Sequence, residues 1–340
     1  MDIKHLDESN FSRWDAFVDG MPQASFFHRA GWKRVIEAAF GHRPYYLYAQ
    51  SDGQICGVLP LVCLRSLLFG KALISTPFCV YGGVVARDSS IASALLETAC
   101  ELAEQLRVDY LETRNMRSCQ EGWETKDLYV TFRKPIDPDP AQNLAAIPRK
   151  QRAMIRKGEK AGLQAAVDDN IARFYPAYSA SVHNLGTPVF SKRYFELLCD
   201  EFAGETEVLT ITQGGRTVSS VLSFYFRDEV LPYYGGGTAE ARDIKANDYM
   251  YWELMRRASE RGVRVFDYGR SKVNTGSYRF KKHWGFTPQP LHYEYYLVRA
   301  KRVPDMSPAN PKYRVFIEAW KKLPMPVTRI LGPMLVRNLG

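Results

Sequence analysis

Between Phe266 and Phe286 the chain gathers residue types that handle charge: Asp267, Arg270, Tyr278, Arg279, Lys281 and Lys282. The apolar run ending at Asp267, followed by Gly269, Arg270 and Ser271, reads as a buried strand that delivers polar groups to the carboxyl edge of a sheet. Open α/β sheets bind their ligands at that edge. The residues after Thr275 read as a helix. Successive helix residues point about 100° apart, so at most one of Lys281 and Lys282 enters a site while the other covers the surface. Tyr278 precedes Lys281 by one turn on the same face. An inward lysine or arginine would hold an anionic group or stabilise the oxyanion of an acyl-transfer intermediate. The same residues admit a purely structural reading, in which Asp267 and Arg270 pair to fasten the strand end and the lysines stay solvated.

A second basic feature lies mid-chain. Residues 147–163 follow an Asp- and Pro-rich linker at 135–140 and read as a helix with Pro148 at its start and Gly162 at its end. Arg149, Arg152, Arg156 and Lys160 recur every three or four residues and so form one basic stripe, which is either a phosphate-binding face or a solvated one. Tyr234 stands beside the glycines Gly235, Gly236 and Gly237, where it would line an acyl path or donate a hydrogen bond; Tyr81, beside Gly82 and Gly83, reads as core.

The elements that must position these groups occur twice. In the first half, β-rich runs at 45–50 and 55–62 flank a glycine-containing turn, then come a strand at 79–85, a helix at 91–107 and a strand at 110–114. In the second half, a hairpin at 207–226, a glycine-rich strand end at 233–237, a helix at 246–261 and a strand at 263–268 repeat that order. Gly83 to Glu112 and Gly236 to Asp267 are nearly equal spacings, which predicts an internal duplication of one α/β unit with a mixed sheet. Helices are also expected at 11–18, 31–39, 311–323 and 326–336.

Several function classes are disfavoured. The chain lacks a Gly-x-Ser-x-Gly elbow, a His-Glu-x-x-His pair, a P-loop and a Gly-x-Gly-x-x-Gly loop, and its six histidines have no ligand-like spacing, so no metal is expected. Its six cysteines form no Cys-x-x-Cys pair, which points to a reducing compartment. The charged start is unlike a signal peptide, and the longest apolar region is broken by Arg65 and Lys71, so the expected location is the cytoplasm, at the inner face of the membrane if anywhere else. A net charge of +9 over 340 residues favours anionic partners: phosphates, nucleotide-sugars, tRNA or an acidic membrane face. DNA is not among them.

The ordered set formed by Tyr234–Gly236, Phe266–Arg270 and Tyr278–Phe286, with the basic segment upstream, resembles the FemAB family. Residues 185–190 and 310–313 are most similar to its subgroup associated with exosortase (PEP-CTERM) exopolysaccharide systems. The resemblance covers most of the chain. It implies two GNAT-like domains and a chain that returns to the first domain at its end. In the best-known members an aminoacyl group passes from aminoacyl-tRNA to an amine of a peptidoglycan precursor; the long coiled-coil arm of those enzymes has no counterpart here. By the same analogy the basic helix faces an inter-domain cleft and contacts phosphates. The rival donor is acyl-CoA, although the 235–247 loop lacks the Arg/Gln-x-x-Gly-x-Gly/Ala pattern that cradles its pyrophosphate.

The expected architecture is therefore α/β with mixed sheets: a first GNAT-like domain at 1–145, a second at 146–300 opened by the basic helix, and a helical tail at 301–340 resting on the first domain. The expected activity is N-acyl or aminoacyl transfer onto an amine of a cell-surface glycan or peptidoglycan-type precursor, with no bound cofactor and with acyl-CoA or aminoacyl-tRNA as donor. Lys281, Asp267, Arg270 and Tyr278 are the expected catalytic residues, Asp267 as the base because an amine acceptor must lose a proton. Arg152, Arg156, Lys282, Tyr234 and Gly236 are expected to bind substrate. The competing expectations are a silent scaffold or glycan-binding component of an export system and a tRNA-binding module.

Overall fold

The computed structural model describes residues 1–66, 70–120, 122–303 and 311–338, the side chains of 311–314 excepted. The 310–313 motif thus lies outside the described side chains. The chain divides into two compact units: Met1–Tyr129 with the stretch from Pro290 and the residues from Leu335, and Val130–Gln289 with a later stretch ending at Met334. The first unit ends before the expected border at 145 because Arg133–Pro135 is already a strand of the second unit's sheet, antiparallel to Val265–Asp267.

In the first unit, Leu47–Ser51 and Gln54–Leu59 form a hairpin. Its turn residues Asp52 and Gly53 have φ of 50° and 76°, the twist that suits a two-residue connection between paired strands. After Pro60, Leu61–Ser66 enters a six-stranded sheet ordered Arg43–Pro44, Leu61–Ser66, Gly70–Ser75, Tyr110–Asn115, His292–Leu297, Glu124–Lys126. Gly70–Ser75 and Tyr110–Asn115 run parallel, with the helix Ser89–Gln105 between them in sequence burying Leu95, Leu96, Ala99 and Ala103.

The expected strand at 79–85 is a correction. Only Val85–Ala86 pairs, with Gly57 and Val58, and the chain from 76 to 84 is irregular. Thr76, Phe78 and Gly82 have φ of 35°, 69° and 135°, which no strand accepts. The loop is held from outside: Arg114 Nη1 donates to the Cys79 carbonyl (2.7 Å), the Tyr293 hydroxyl to the Val80 carbonyl (2.9 Å), and the Gly83 amide to the Arg114 carbonyl (3.0 Å).

The second unit carries a six-stranded sheet ordered Arg133–Pro135, Val265–Asp267, Glu229–Gly237, Arg216–Phe226, Thr206–Gln213, Leu163–Asp168. The two units share a connectivity: an antiparallel pair, then a helix, then a strand parallel to the second member of that pair. The topological partner of the glycine strand Glu229–Gly237 is thus Gly70–Ser75, and Gly83 lies in a loop where Gly236 lies in a strand. The duplication holds for the strand order, not for that glycine match.

The helix Phe174–Leu185 packs on the glycine strand so closely that a Cβ on Gly236 would meet Ser181 Cβ at 2.7 Å and Tyr178 Cα at 2.9 Å. The helix Ala246–Glu260 buries Met250, Leu254, Met255 and Ala258 in the core shared with Leu209, Val221 and Phe266. The basic helix Arg149–Lys160 packs on it through Gln151, Ile155 and Gly158; a Cβ on Gly158 would stand 2.8 Å from Tyr249 Cβ.

The tail forms two helices, Pro311–Lys322 and Met325–Val336. Its expected place on the first domain is also corrected, since up to Met334 it belongs to the second unit. Pro311–Lys322 packs on Phe174–Leu185, with Ile317 against Gly186, and Gly332 brings the last helix onto the Val189 backbone, where a Cβ would meet the amide nitrogen at 2.8 Å. Among the described residues no helix is long and apolar enough to cross a membrane.

Candidate functional site

The glycine strand and the strand Val265–Asp267 run parallel for only two residue pairs, Glu229 with Val265 and Val230 with Phe266. The glycine strand then stays with Arg216–Phe226 as far as Gly237, so the two parallel strands part at their carboxyl ends. Asp267 is the last residue of its strand before this parting, and it is 1% exposed.

Neighbours hold both of its carboxylate oxygens. The Gly269 amide donates to Oδ1 at 2.7 Å, the Thr131 hydroxyl to Oδ1 at 3.4 Å, and Arg133 Nε lies 3.4 Å from Oδ2. Thr131 and Arg133 are two residues apart in an extended segment and so share a face. Arg133 also pairs with Glu229, whose carboxyl is raised by burial and pulled back by this guanidinium. Asp267 is therefore engaged as a fastening group, an arrangement that fits holding the strand end better than abstracting a substrate proton.

Gly269 takes φ +64° directly after the strand, and the chain continues beside the same segment, Ser271–Lys272 pairing with Tyr129–Thr131. Two successive carbonyls there meet one side chain: Lys281 Nζ donates to Gly269 O at 2.9 Å and to Arg270 O at 3.0 Å, and lies 5.5 Å from the centre of the Phe132 ring. Lys281 comes from the helix Gly276–His283, which is capped by the Thr275 hydroxyl on the Tyr278 amide. It is that helix's one buried residue, while Lys282 is exposed with its ammonium 5.7 Å from the Tyr278 ring centre. Burial lowers Lys281 from an ordinary 10.5 to about 7; Asp267 opposes that shift and Arg270 adds to it. In its protonated form, favoured below about pH 7, the group has three donors; two go to these carbonyls and the third is left for a substrate oxygen. The Ser271 hydroxyl and the Tyr268 phenol nearby in sequence are buried without a hydrogen-bond partner among the described residues.

The structure thus gathers Asp267, Arg270 and Lys281 around the short stretch that follows the strand end. Tyr278 is half-buried at its margin, edge-on to Phe132 at 5.5 Å. Tyr234 and Gly236 lie elsewhere in the unit. Tyr234 is 6% exposed among Tyr178, Phe190, Tyr194 and Phe195, with its hydroxyl 2.8 Å from that of Tyr194, and Gly236 is the contact point of the overlying helix. On the basic helix, Arg156 is exposed and Arg152 half-buried, with Arg152 Nη1 3.4 Å from the Ala145 carbonyl.

Sequence reasoning missed Thr131, Arg133 and Glu229, which surround Asp267 from distant parts of the chain. The alternation of Tyr129, Thr131 and Arg133 with apolar residues was a usable strand signal. It also missed Asp248, whose half-buried carboxylate accepts from Gln151 Nε2 (2.8 Å) and from the Trp284 indole (3.2 Å). Asp248 thereby ties the basic helix to the residue that ends the lysine helix. Burial raises its carboxyl above the ordinary value.

The two units have the architecture of tandem GNAT-like domains. Residues 149–282 match the model of an acetyltransferase (GNAT) domain. Among solved structures the chain is similar to FemX (TM-score 0.69, 16% identity, covering 93% of this chain and 100% of that one). It is also similar to the C-terminal domain of a putative lysylphosphatidylglycerol synthetase from Agrobacterium fabrum (TM-score 0.58, 13% identity, 85% and 92% covered). A tandem GNAT protein from the clavulanic acid biosynthesis pathway is a further likeness (TM-score 0.56, 14% identity, 89% and 99% covered). At these identities the likeness is one of fold. No curated protein matches the chain.

Proposed function

We propose that this protein is a FemAB-like transferase that moves an acyl or aminoacyl group onto an amine, and that the acceptor amine belongs to a cell-surface glycan or a peptidoglycan-type precursor. The observation that carries the reading is Lys281: a buried amine group that spans the carbonyls of Gly269 and Arg270, just past the strand end at Asp267. The GNAT domain match and the FemX-like fold favour the same chemistry.

The amine lone pair forms the new C–N bond to the donor's carbonyl carbon, the carbonyl oxygen becomes an oxyanion, and collapse breaks the bond to the thiol or ribose oxygen. The amine's proton leaves with that group. Lys281 stabilises the oxyanion, and Asp267 acts through position by holding the turn that aims Lys281. Proximity supplies much of the remaining acceleration. Arg152 and Arg156 contact phosphates, which both candidate donors, acyl-CoA and aminoacyl-tRNA, carry.

The test follows thermal unfolding with acetyl-CoA, longer acyl-CoAs, aminoacyl-tRNA and UDP-linked sugars, paired with a transfer assay. A donor at 100 times its dissociation constant adds about 2.7 kcal/mol of apparent stability. The proposal expects one donor class to do so and transfer to fall by roughly 100-fold or more in Lys281→Met while donor binding persists. Wild-type transfer rates in that variant would remove Lys281 from the mechanism. Glycan binding without stabilisation by any donor, and without transfer, would favour a scaffold or glycan-binding component of an export system instead.

A further inference from the structure

The last helix, Met325–Val336, leaves most of its large apolar residues outward. The face turned to the protein carries Thr328, Gly332 and the buried Val336: the Thr328 hydroxyl bonds the Met325 carbonyl at 3.0 Å and lies 3.4 Å from His183 Nδ1, and Gly332 rests on Val189. The face turned to solvent carries Val327, Ile330, Leu331 and Met334, which are 37%, 70%, 40% and 62% exposed. Their spacing of three, one and three residues places all four on one stripe along the helix. A helix stabilised only by its fold would bury that stripe and expose the threonine, because apolar burial is the larger gain.

We propose that this stripe is a docking surface for an anionic lipid bilayer, on which the helix lies parallel to the membrane plane. Charge decides the occupant. From Trp320 onward the sequence contains Lys321, Lys322, Arg329 and Arg337 and no aspartate or glutamate. Lys322 is exposed directly before the turn into the stripe, as is Lys321, whose ammonium lies 3.6 Å from the Glu318 carboxylate. An apolar ridge flanked by cations is what binds at the headgroup boundary, through buried apolar area together with attraction to acidic lipid. The surface is the convex side of a single helix, and the protein's net charge of +9 makes a second copy of the chain an electrostatically poor partner for it. Such docking would hold the enzyme where lipid-linked acceptors are found, but the proposal stands or falls independently of the transferase reading.

The experiment is co-sedimentation of the full chain with vesicles of phosphatidylcholine alone and with vesicles that also contain phosphatidylglycerol, which supplies a negative surface potential. Binding is expected to the anionic vesicles only, to weaken with salt, and to fall by about tenfold or more in Ile330→Gln/Met334→Gln. Both side chains are exposed, so the fold should persist, which circular dichroism checks. In Leu331→Trp the indole emission should shift to the blue when anionic vesicles are added. Absence of sedimentation, or binding unchanged by the double substitution, overturns the proposal. So does a concentration-dependent dimer in analytical ultracentrifugation that the same substitutions abolish, which would assign the stripe to a second copy.

Discussion

Replacing Lys281 with methionine removes an ammonium that is 8% exposed while keeping most of the side-chain volume. Burial lowers the group from 10.5 to about 7, so between those values the unfolded chain carries a proton that the folded chain does not. Stability contributed by this site therefore rises with pH across that window and is lowest below pH 7. Integrating the two titrations gives a gain of about 2–3 kcal/mol between pH 6 and pH 9, on the scale of about 1.4 kcal/mol per pKa unit. The variant lacks this term. It also leaves the Gly269 and Arg270 carbonyls without their donor, at a cost of roughly 1–3 kcal/mol that does not depend on pH. The expected outcome is a wild-type advantage over Lys281→Met that is small or negative at pH 6 and grows by about 2–3 kcal/mol at pH 9. Urea unfolding of both proteins at pH 6, 7.5 and 9, followed by tryptophan fluorescence, measures it. A difference that is flat across these pH values would refute the reasoning, because it would mean that Lys281 titrates alike in the folded and unfolded states.

Asp267→Asn should cost about 1–3 kcal/mol, less than breaking an isolated buried pair, because Glu229 still pairs with Arg133. It should also lower Lys281 further, since Asp267 is what raises it, and move the alkaline limb of the transfer rate profile to lower pH; a fixed limb would separate the two groups. Gly236→Ala should destabilise by about 1–3 kcal/mol in thermal or urea unfolding, since the new Cβ meets the backbone of the overlying helix, and a neutral result would mean that this helix shifts freely. Arg152→Glu/Arg156→Glu should leave unfolding midpoints nearly unchanged while weakening donor binding in titrations, and the salt dependence of binding should flatten with it. Asp248→Leu should raise susceptibility to proteolysis at the basic helix, because Gln151 and Trp284 lose their shared acceptor.

Much of the secondary structure was legible because it rests on local physics. The hairpin around Asp52 and Gly53, the helix Ala246–Glu260 and the basic helix between Pro148 and Gly162 follow from turn chemistry and apolar period alone. The inward and outward lysines follow from the angle between adjacent helix positions, which requires no knowledge of the partner. The loop at 76–84 was not legible. Its apolar residues carry a strand-like composition, and only contacts from Arg114 and Tyr293 hold them in backbone conformations a strand excludes.

By itself the sequence pointed to a repeated α/β unit and to an acid, a Gly-Arg-Ser stretch and a lysine helix following one another near the end of the second. Only the tertiary structure decided which charge meets which. Arg133 reaches Asp267 because a strand from 134 residues earlier pairs beside it (267 − 133), and no local pattern encodes that pairing. The tail was decided in the same way. The sequence marks its last helix as amphipathic, but its apolar stripe faces outward because Gly332 and Thr328 are the residues small or polar enough to fit against Val189 and His183. Period and composition describe a helix's own faces; which face is buried depends on the shape of the surface it meets.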